Sequence, residues 1–298
     1  MTTPHVHALN DGYAKDATGH WKSCSKCDEK VNFAAHTFKN TLNLNSPNKS
    51  VGYNCTTCGY QNTSDYTSGT SINSVLYGYY PQTHVSDQTT IDSLNNLSGA
   101  ESNGWYLLNG TYYAKVAEAT PYGDTYYFSD GTQINVDGCY WFKVEPIEWK
   151  ITSSSGDDQY SLFSSLVLDK HQFHSNTTTN VYKNSDLRTW LTGTFYNTVF
   201  SNGGSYLQVY TSGGLNDKVY LLDNNGYINY GVQCKVSDYA KAIGAILADG
   251  TDYGEYWTST QSPQGGKAAK VSGDGYHHNY VDTTLKYGVR PVITVKIS

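Results

Sequence analysis

From about residue 75 onward, apolar positions come in short aromatic runs broken by Gly, Asn and Asp. Runs of that length with turn residues between them predict β-strands. Trp105 and Tyr106 lead through Asn109-Gly110 to Tyr112 and Tyr113. This reads as a hairpin, because an Asn-Gly pair accepts the left-handed backbone of a tight turn. Tyr126-Tyr127-Phe128 and residues 139–144 predict further strands, and residues 147–151 alternate apolar with polar as a strand with one wet face does. Two stretches follow the helical period instead. Ser185 is a cap for a helix with Leu187, Trp190 and Leu191 on one face, and Ser237 caps a second whose stripe runs through Ile243 to Ile246 and Leu247. Mainly antiparallel strands with two inserted helices make an α+β fold.

The first 62 residues are patterned differently. They are poor in large apolar residues but hold both Cys-x-x-Cys pairs, Cys24 with Cys27 and Cys55 with Cys58, together with His5, His7, His20 and His36. These ligand types at short spacings match tetrahedral zinc sites, and a metal would supply the folding energy that so small a core lacks. One partition places His20, Cys24, Cys27 and His36 around one ion and His5, His7, Cys55 and Cys58 around another. The alternative is a single four-cysteine site. Disulfides between the pairs, or free thiols, are the bland readings. One or two structural zinc ions are expected. Residues 63–74, in a polar Ser/Thr-rich run that begins at Gln61, read as a linker, giving a zinc module over 1–62 and a large domain over 75–298.

Charge narrows the partners. The 298-residue chain has a net charge of −6 with 15% charged residues and no basic run, so no nucleic-acid footprint is present. No apolar run approaches the roughly 20 residues that span a bilayer. The opening Met1-Thr-Thr-Pro-His5 carries neither the basic nor the apolar region of a signal peptide. Abundant Tyr and Gly, 28 each, with a single Met point to a β-rich extracellular, cell-surface or phage protein.

Three sets of residues carry resemblances. Gly19-His20-Trp21-Lys22 with Cys24 and Cys27, Ala35-His36-Thr37-Phe38, and Cys55 with Cys58-Gly59-Tyr60 resemble short His-Cys modules of secreted proteins of anaerobic Gram-positive bacteria, which implies a structural attachment unit. From residue 75 to the end the motif order is similar to a bacterial extracellular family with a C-type-lectin-like fold, related to formylglycine-generating enzymes. It is carried by Tyr77-Gly78-Tyr79-Tyr80-Pro81-Gln82, Tyr140 to Trp149, Leu187-Arg188 with Trp190-Leu191, Phe195-Tyr196-Asn197 with Phe200, residues 217–222, 239–242, and Gly288-Val289-Arg290-Pro291-Val292. Tyr256-Trp257-Thr258-Ser259-Thr260-Gln261 looks like the variable proteins of diversity-generating retroelements. That resemblance implies a hypervariable binding surface within 255–287, with Arg290 and Pro291 as scaffold.

The unpatterned run around Gly275 has the ring area and adaptable polar groups that binding loops use. Tyr256, Trp257, Ser259, Gln261, Tyr276, His277, His278, Asn279, Tyr280, Asp282 and Lys286 are the candidate contacts, for a protein or glycan ligand. No Ser-His-Asp order, phosphate loop or dinucleotide fingerprint appears, so a non-enzymatic binding protein is expected. The competing readings are a formylglycine-generating-enzyme-like or carbohydrate-active enzyme, or a purely structural surface module. Cys139 and Cys234 are expected as a disulfide or as buried thiols, Glu145 and Glu148 as scaffold, and His171 and His174 as solvent-facing loop residues.

Overall fold

The computed structural model describes residues 6–123, 126–201, 203–224, 233–276 and 279–297. Strands hold 42% of the chain and helices 12%, so the fold is mostly β with few helices. It divides into two compact units, 1–76 and 77–298.

In the first unit, β1 (Ala14–Lys15), β2 (His20–Cys24) and β3 (Cys27–Ala34) form one antiparallel sheet. β4 (Phe38–Asn43), β5 (Ser50–Cys55) and β6 (Gln61–Asp65) form another, with Thr41, Leu42 and Asn43 pairing in parallel with Ser74, Val75 and Leu76. β6 overlaps the start of the stretch expected to be linker. Its five side chains are all exposed, so nothing in its polarity signalled a strand, and it is held by backbone pairing to β5. The apolar core of this unit is small, with Leu42, Leu44, Val51 and Val75 buried.

The strand Ser74–His84, β7, leads into the second unit, where two sheets face their apolar sides inward. The larger has the order β13-β19-β11-β10-β7. Its strands are β10 (Tyr140–Ser154), β11 (Gln159–Ser164), β13 (Leu207–Gln208) and β19 (Val292–Lys296), with β14 (Val219–Tyr220) also on β19. β8 (Tyr106–Leu108) and β9 (Thr111–Val116) extend it from β10. The smaller sheet runs β12 (Asp169–Gln172), β18 (Lys286–Val289), β15 (Tyr256–Gln261), β16 (Lys267–Val271), β17 (Asn279–Asp282). Asn109 and Gly110 take φ of 50° and 80°, which closes the β8–β9 hairpin as the Asn-Gly signal requires. On β10, Ile147 and Trp149 are buried while Lys150 is exposed, matching the alternation.

Ser185 and Ser237 do cap helices, accepting from the backbone N–H of Arg188 and Ala240. The second helix, Asp238–Ala242, is shorter than its apolar stripe suggested. Gly244 at φ +88° ends it, and Leu247 lies in an isolated bridge to Gly254. Residues 126–128 form only a single bridge, Tyr127 to Gln133, rather than a strand. The helix Gln88–Asn95 escaped the sequence reading, since its one buried side chain, Leu94, leaves almost no periodic signal.

Candidate functional site

Two clusters of metal-ligating side chains form in the first unit. His20, His36, Cys55 and Cys58 bring their ligand atoms within 4.8 Å of one another, and so do His7, Cys24 and Cys27. The fold thus exchanges the partners expected from sequence: His20 and His36 belong with Cys55 and Cys58, and His7 with Cys24 and Cys27. His5 lies outside the described residues. Strand geometry gives the reason. His20 and Cys24 sit at opposite ends of the extended β2, and four residues of strand span about 13 Å. They cannot share an ion.

Local pairing then assembles each set. Cys24 faces Cys27 across the β2–β3 turn, and the backbone N–H of Lys26 points at the Cys24 Sγ at 3.4 Å. Leu9 bridges to Cys24, while the Asn10 N–H donates to the Ser23 carbonyl and the Ser25 N–H to the Ala8 carbonyl, which lays His7 beside that turn. In the other cluster, Phe38 pairs with Cys55, so His36, two residues before β4, arrives at the second turn. The turn is closed by Gly59 N–H to the Cys55 carbonyl, with Gly59 at φ +66°. His20 comes in from the start of β2, and the His36 ring stacks on Tyr60 at 4.6 Å.

The spacing suits a tetrahedral ion. Bonds of about 2.3 Å to sulfur and 2.0 Å to nitrogen place S and N roughly 3.5 Å apart. Cys58 Sγ lies 3.5 Å from His36 Nδ1, Cys27 Sγ 3.5 Å from His7 Nδ1, and Cys55 Sγ 4.0 Å from His20 Nδ1. Burial raises the Cys55 thiol pKa, but the N–H groups of Cys58 and Thr57 and the His36 ring outweigh it and leave the value at about 6. That favours the thiolate a metal needs. The Asp16 carbonyl raises the pKa of His36. The Glu29 N–H lowers that of Cys27, and burial and the Cys24 thiol overcome it and push it up. Asp16 and Glu29 were not singled out by sequence, since neither sits in a ligand motif.

The candidate contact residues of the second unit separate into core and surface. Tyr256 and Trp257 are fully buried and are not contacts. The Tyr256 hydroxyl receives a hydrogen bond from Arg290 Nη1 at 3.0 Å, and Trp257 Nε1 donates to the His171 carbonyl at 2.8 Å, edge-on to Tyr287 and Phe173. β15 is the central strand of its sheet and its first residues are covered on both faces, so consecutive Tyr256 and Trp257 are both buried. Ser259 is partly buried and Gln261 exposed at the far end of that strand. Tyr276 is 57% exposed, Asn279 and Tyr280 are half-buried on the edge strand β17, and Asp282 and Lys286 are exposed. His277 and His278 lie outside the described residues. Arg290 is fully buried, donating from Nε to the Ser164 carbonyl with its guanidinium 3.6 Å over the Phe163 ring.

A cavity of about 750 Å³ opens beside the 272–276 turn. Its walls come from segments far apart in sequence: Gln82, Glu148, Lys150, Ser165, Gln233 and Asp274 among them. The Gln82 amide nitrogen donates to the carbonyls of Glu145 and Pro146, which fixes its oxygen as an acceptor. The Ser165 hydroxyl is buried without a hydrogen-bond partner. Gln233 Nε2 donates to the Gly273 carbonyl, tying this wall to the turn that carries Tyr276.

The remaining candidates have structural posts. Cys139 and Cys234 are both free: Cys234 is buried, and burial pushes its thiol pKa up, whereas Cys139 is exposed, contrary to the expected disulfide or buried pair. Cys139 lies immediately before β10, exposed at the strand end. His171 stacks on Trp190 at 5.0 Å, and His174 Nδ1 lies 3.4 Å from Asp186, so neither is the solvent-facing side chain expected. Glu145 accepts from the Thr83 hydroxyl at 2.5 Å.

A family model described as a domain of unknown function (DUF6273) matches residues 157–297, the part of the second unit from β11 to the end of β19. No curated protein and no solved structure matches the chain.

Proposed function

We propose that this chain is a non-enzymatic ligand-binding protein of a cell surface or phage particle. Its first unit is a zinc-held attachment module, and its second a C-type-lectin-like domain that engages a protein or glycan. The observation that carries the reading is the cavity of about 750 Å³ beside the Tyr276 turn. Its size falls in the range of ligand sites, and Gln82, whose amide nitrogen is already engaged by two carbonyls, offers its oxygen as an acceptor in the wall. Exposed Tyr276, two residues along the turn from the wall residue Asp274, supplies ring area, and Asp282 and Lys286 are further exposed contacts elsewhere on the smaller sheet. If residues 255–287 are diversified by a retroelement, variation falls on Gln261, Tyr276, Asp282 and Lys286. It spares buried Tyr256, Trp257, Ala268 and Ala269.

Glycan and peptide arrays probed with the intact protein test the reading. Tyr276→Ala should weaken capture at least about tenfold while the thermal midpoint stays within about 1 °C. An array on which the wild type holds nothing, a Tyr276→Ala variant that binds as tightly, or turnover of a captured compound overturns it.

A further inference from the structure

The three described histidines of the first unit all turn the same nitrogen toward the thiols, and two of them have the other nitrogen held. His36 Nδ1 faces Cys58, and its Nε2 lies 2.7 Å from the Asp16 carbonyl oxygen. His7 Nδ1 faces Cys27, and its Nε2 lies 3.3 Å from Glu29 Oε2. A carbonyl and an ionised carboxylate only accept hydrogen bonds. The hydrogen of the neutral His36 ring therefore sits on Nε2, and the Glu29 carboxylate, in ion-pair contact with His7 Nε2, favours the same tautomer there, which leaves each Nδ1 with its lone pair free for a metal. The tautomer that ligation needs is selected by the protein before any ion arrives.

We infer that Glu29 and the Asp16 carbonyl are outer-shell positioning groups of two metal centres, each bound by histidine through Nδ1. The inference rests on the metal reading above. The two groups act differently. The Asp16 carbonyl belongs to a turn locked by its own side chain, which accepts from the Thr18 N–H and hydroxyl and from Lys30, so its position is inherited from the backbone. Glu29 is a side chain, 67% exposed, and it carries a charge. It orients the His7 ring and makes the imidazole a stronger donor to the ion. Because Glu29 is exposed on β3, its removal leaves no cavity, so its effect on metal can be read apart from folding.

The experiment is release of zinc from the loaded full-length protein to a chromophoric chelator, compared with Glu29→Ala and Asp28→Ala. Asp28 is the neighbouring exposed carboxylate and controls for loss of charge alone. The wild type should release its zinc in two steps. Glu29→Ala should weaken one step about tenfold, the low end of outer-shell effects because this carboxylate is in solvent, and leave the other unchanged. Asp28→Ala should move neither by as much. Nitrogen-15 spectra should also show His7 and His36 as Nε2–H rings bound through Nδ1. A wild type that takes up no zinc refutes the metal reading itself. Two zinc steps with Glu29→Ala identical to wild type, an equal effect of Asp28→Ala, or ligation through Nε2 overturns the outer-shell inference alone.

Discussion

Trp257 and Tyr276 lie in one segment, yet the structure gives them opposite duties, and truncating each should separate core from surface. Trp257 is fully buried, packs edge-on against Phe173 and Tyr287 at 5.4 and 5.0 Å, and donates 2.8 Å to the His171 carbonyl. Replacing a buried Trp by Ala costs about 3–5 kcal/mol in lost transfer energy and residual cavity. Leaving the His171 carbonyl without its donor adds roughly 1 kcal/mol. The expected loss for Trp257→Ala is therefore about 4–6 kcal/mol, a large part of the about 5–15 kcal/mol that holds a domain folded. Trp257→Phe keeps most of the ring and should lose about 1–3 kcal/mol. Tyr276→Ala, at a 57% exposed position, should stay within about 0.5 kcal/mol. Urea unfolding followed by near-ultraviolet circular dichroism, in buffer saturated with zinc, gives each difference as the midpoint shift multiplied by the slope. A Trp257→Ala variant within 1 kcal/mol of wild type, or a Tyr276→Ala variant as damaged as Trp257→Ala, would show that the division is wrong.

Two further outcomes follow from backbone and charge. Burial raises the Asp169 pKa from 3.8 to about 6, even though the carboxylate accepts from the Tyr80 hydroxyl and the Lys170 N–H. The folded state then holds this proton more tightly than the unfolded chain. Stability should fall as pH rises from about 4 to 6, by up to about 3 kcal/mol, and level off above. Asp169→Asn should remove that slope from urea midpoints taken across the window, and a slope that persists would exonerate Asp169. Gly266 sits at φ +75°, and a Cβ there would lie 1.8 Å from the Thr177 carbonyl oxygen. Gly266→Ala should lower stability by at least about 3 kcal/mol. Gly131→Ala, at φ +86° but with open space around it, should cost only about 1–2 kcal/mol. Equal thermal midpoints for the two variants would rule out the close approach as the cause.

The sequence determined what local chemistry can determine. Two Cys-x-x-Cys turns and nearby histidines supplied the ligand types, Asn109-Gly110 closed its hairpin, and Ser185 and Ser237 capped their helices, because each depends on residues within a few positions. The exchange of histidines between the two His/Cys clusters was half legible. The distance along an extended strand already forbids His20 from reaching Cys24, but which thiols it meets instead depends on how β2, β3, β4 and β5 pair. Burial of Tyr256 and Trp257 was not legible from their own segment, since a polar neighbourhood of Thr and Ser disguised the central strand of a sheet. The cavity joins Gln82, Glu148, Ser165, Gln233 and Asp274 across nearly two hundred residues. Only tertiary packing decides such a site, because long-range sheet order sets which side chains converge and which polar atoms are left without a partner.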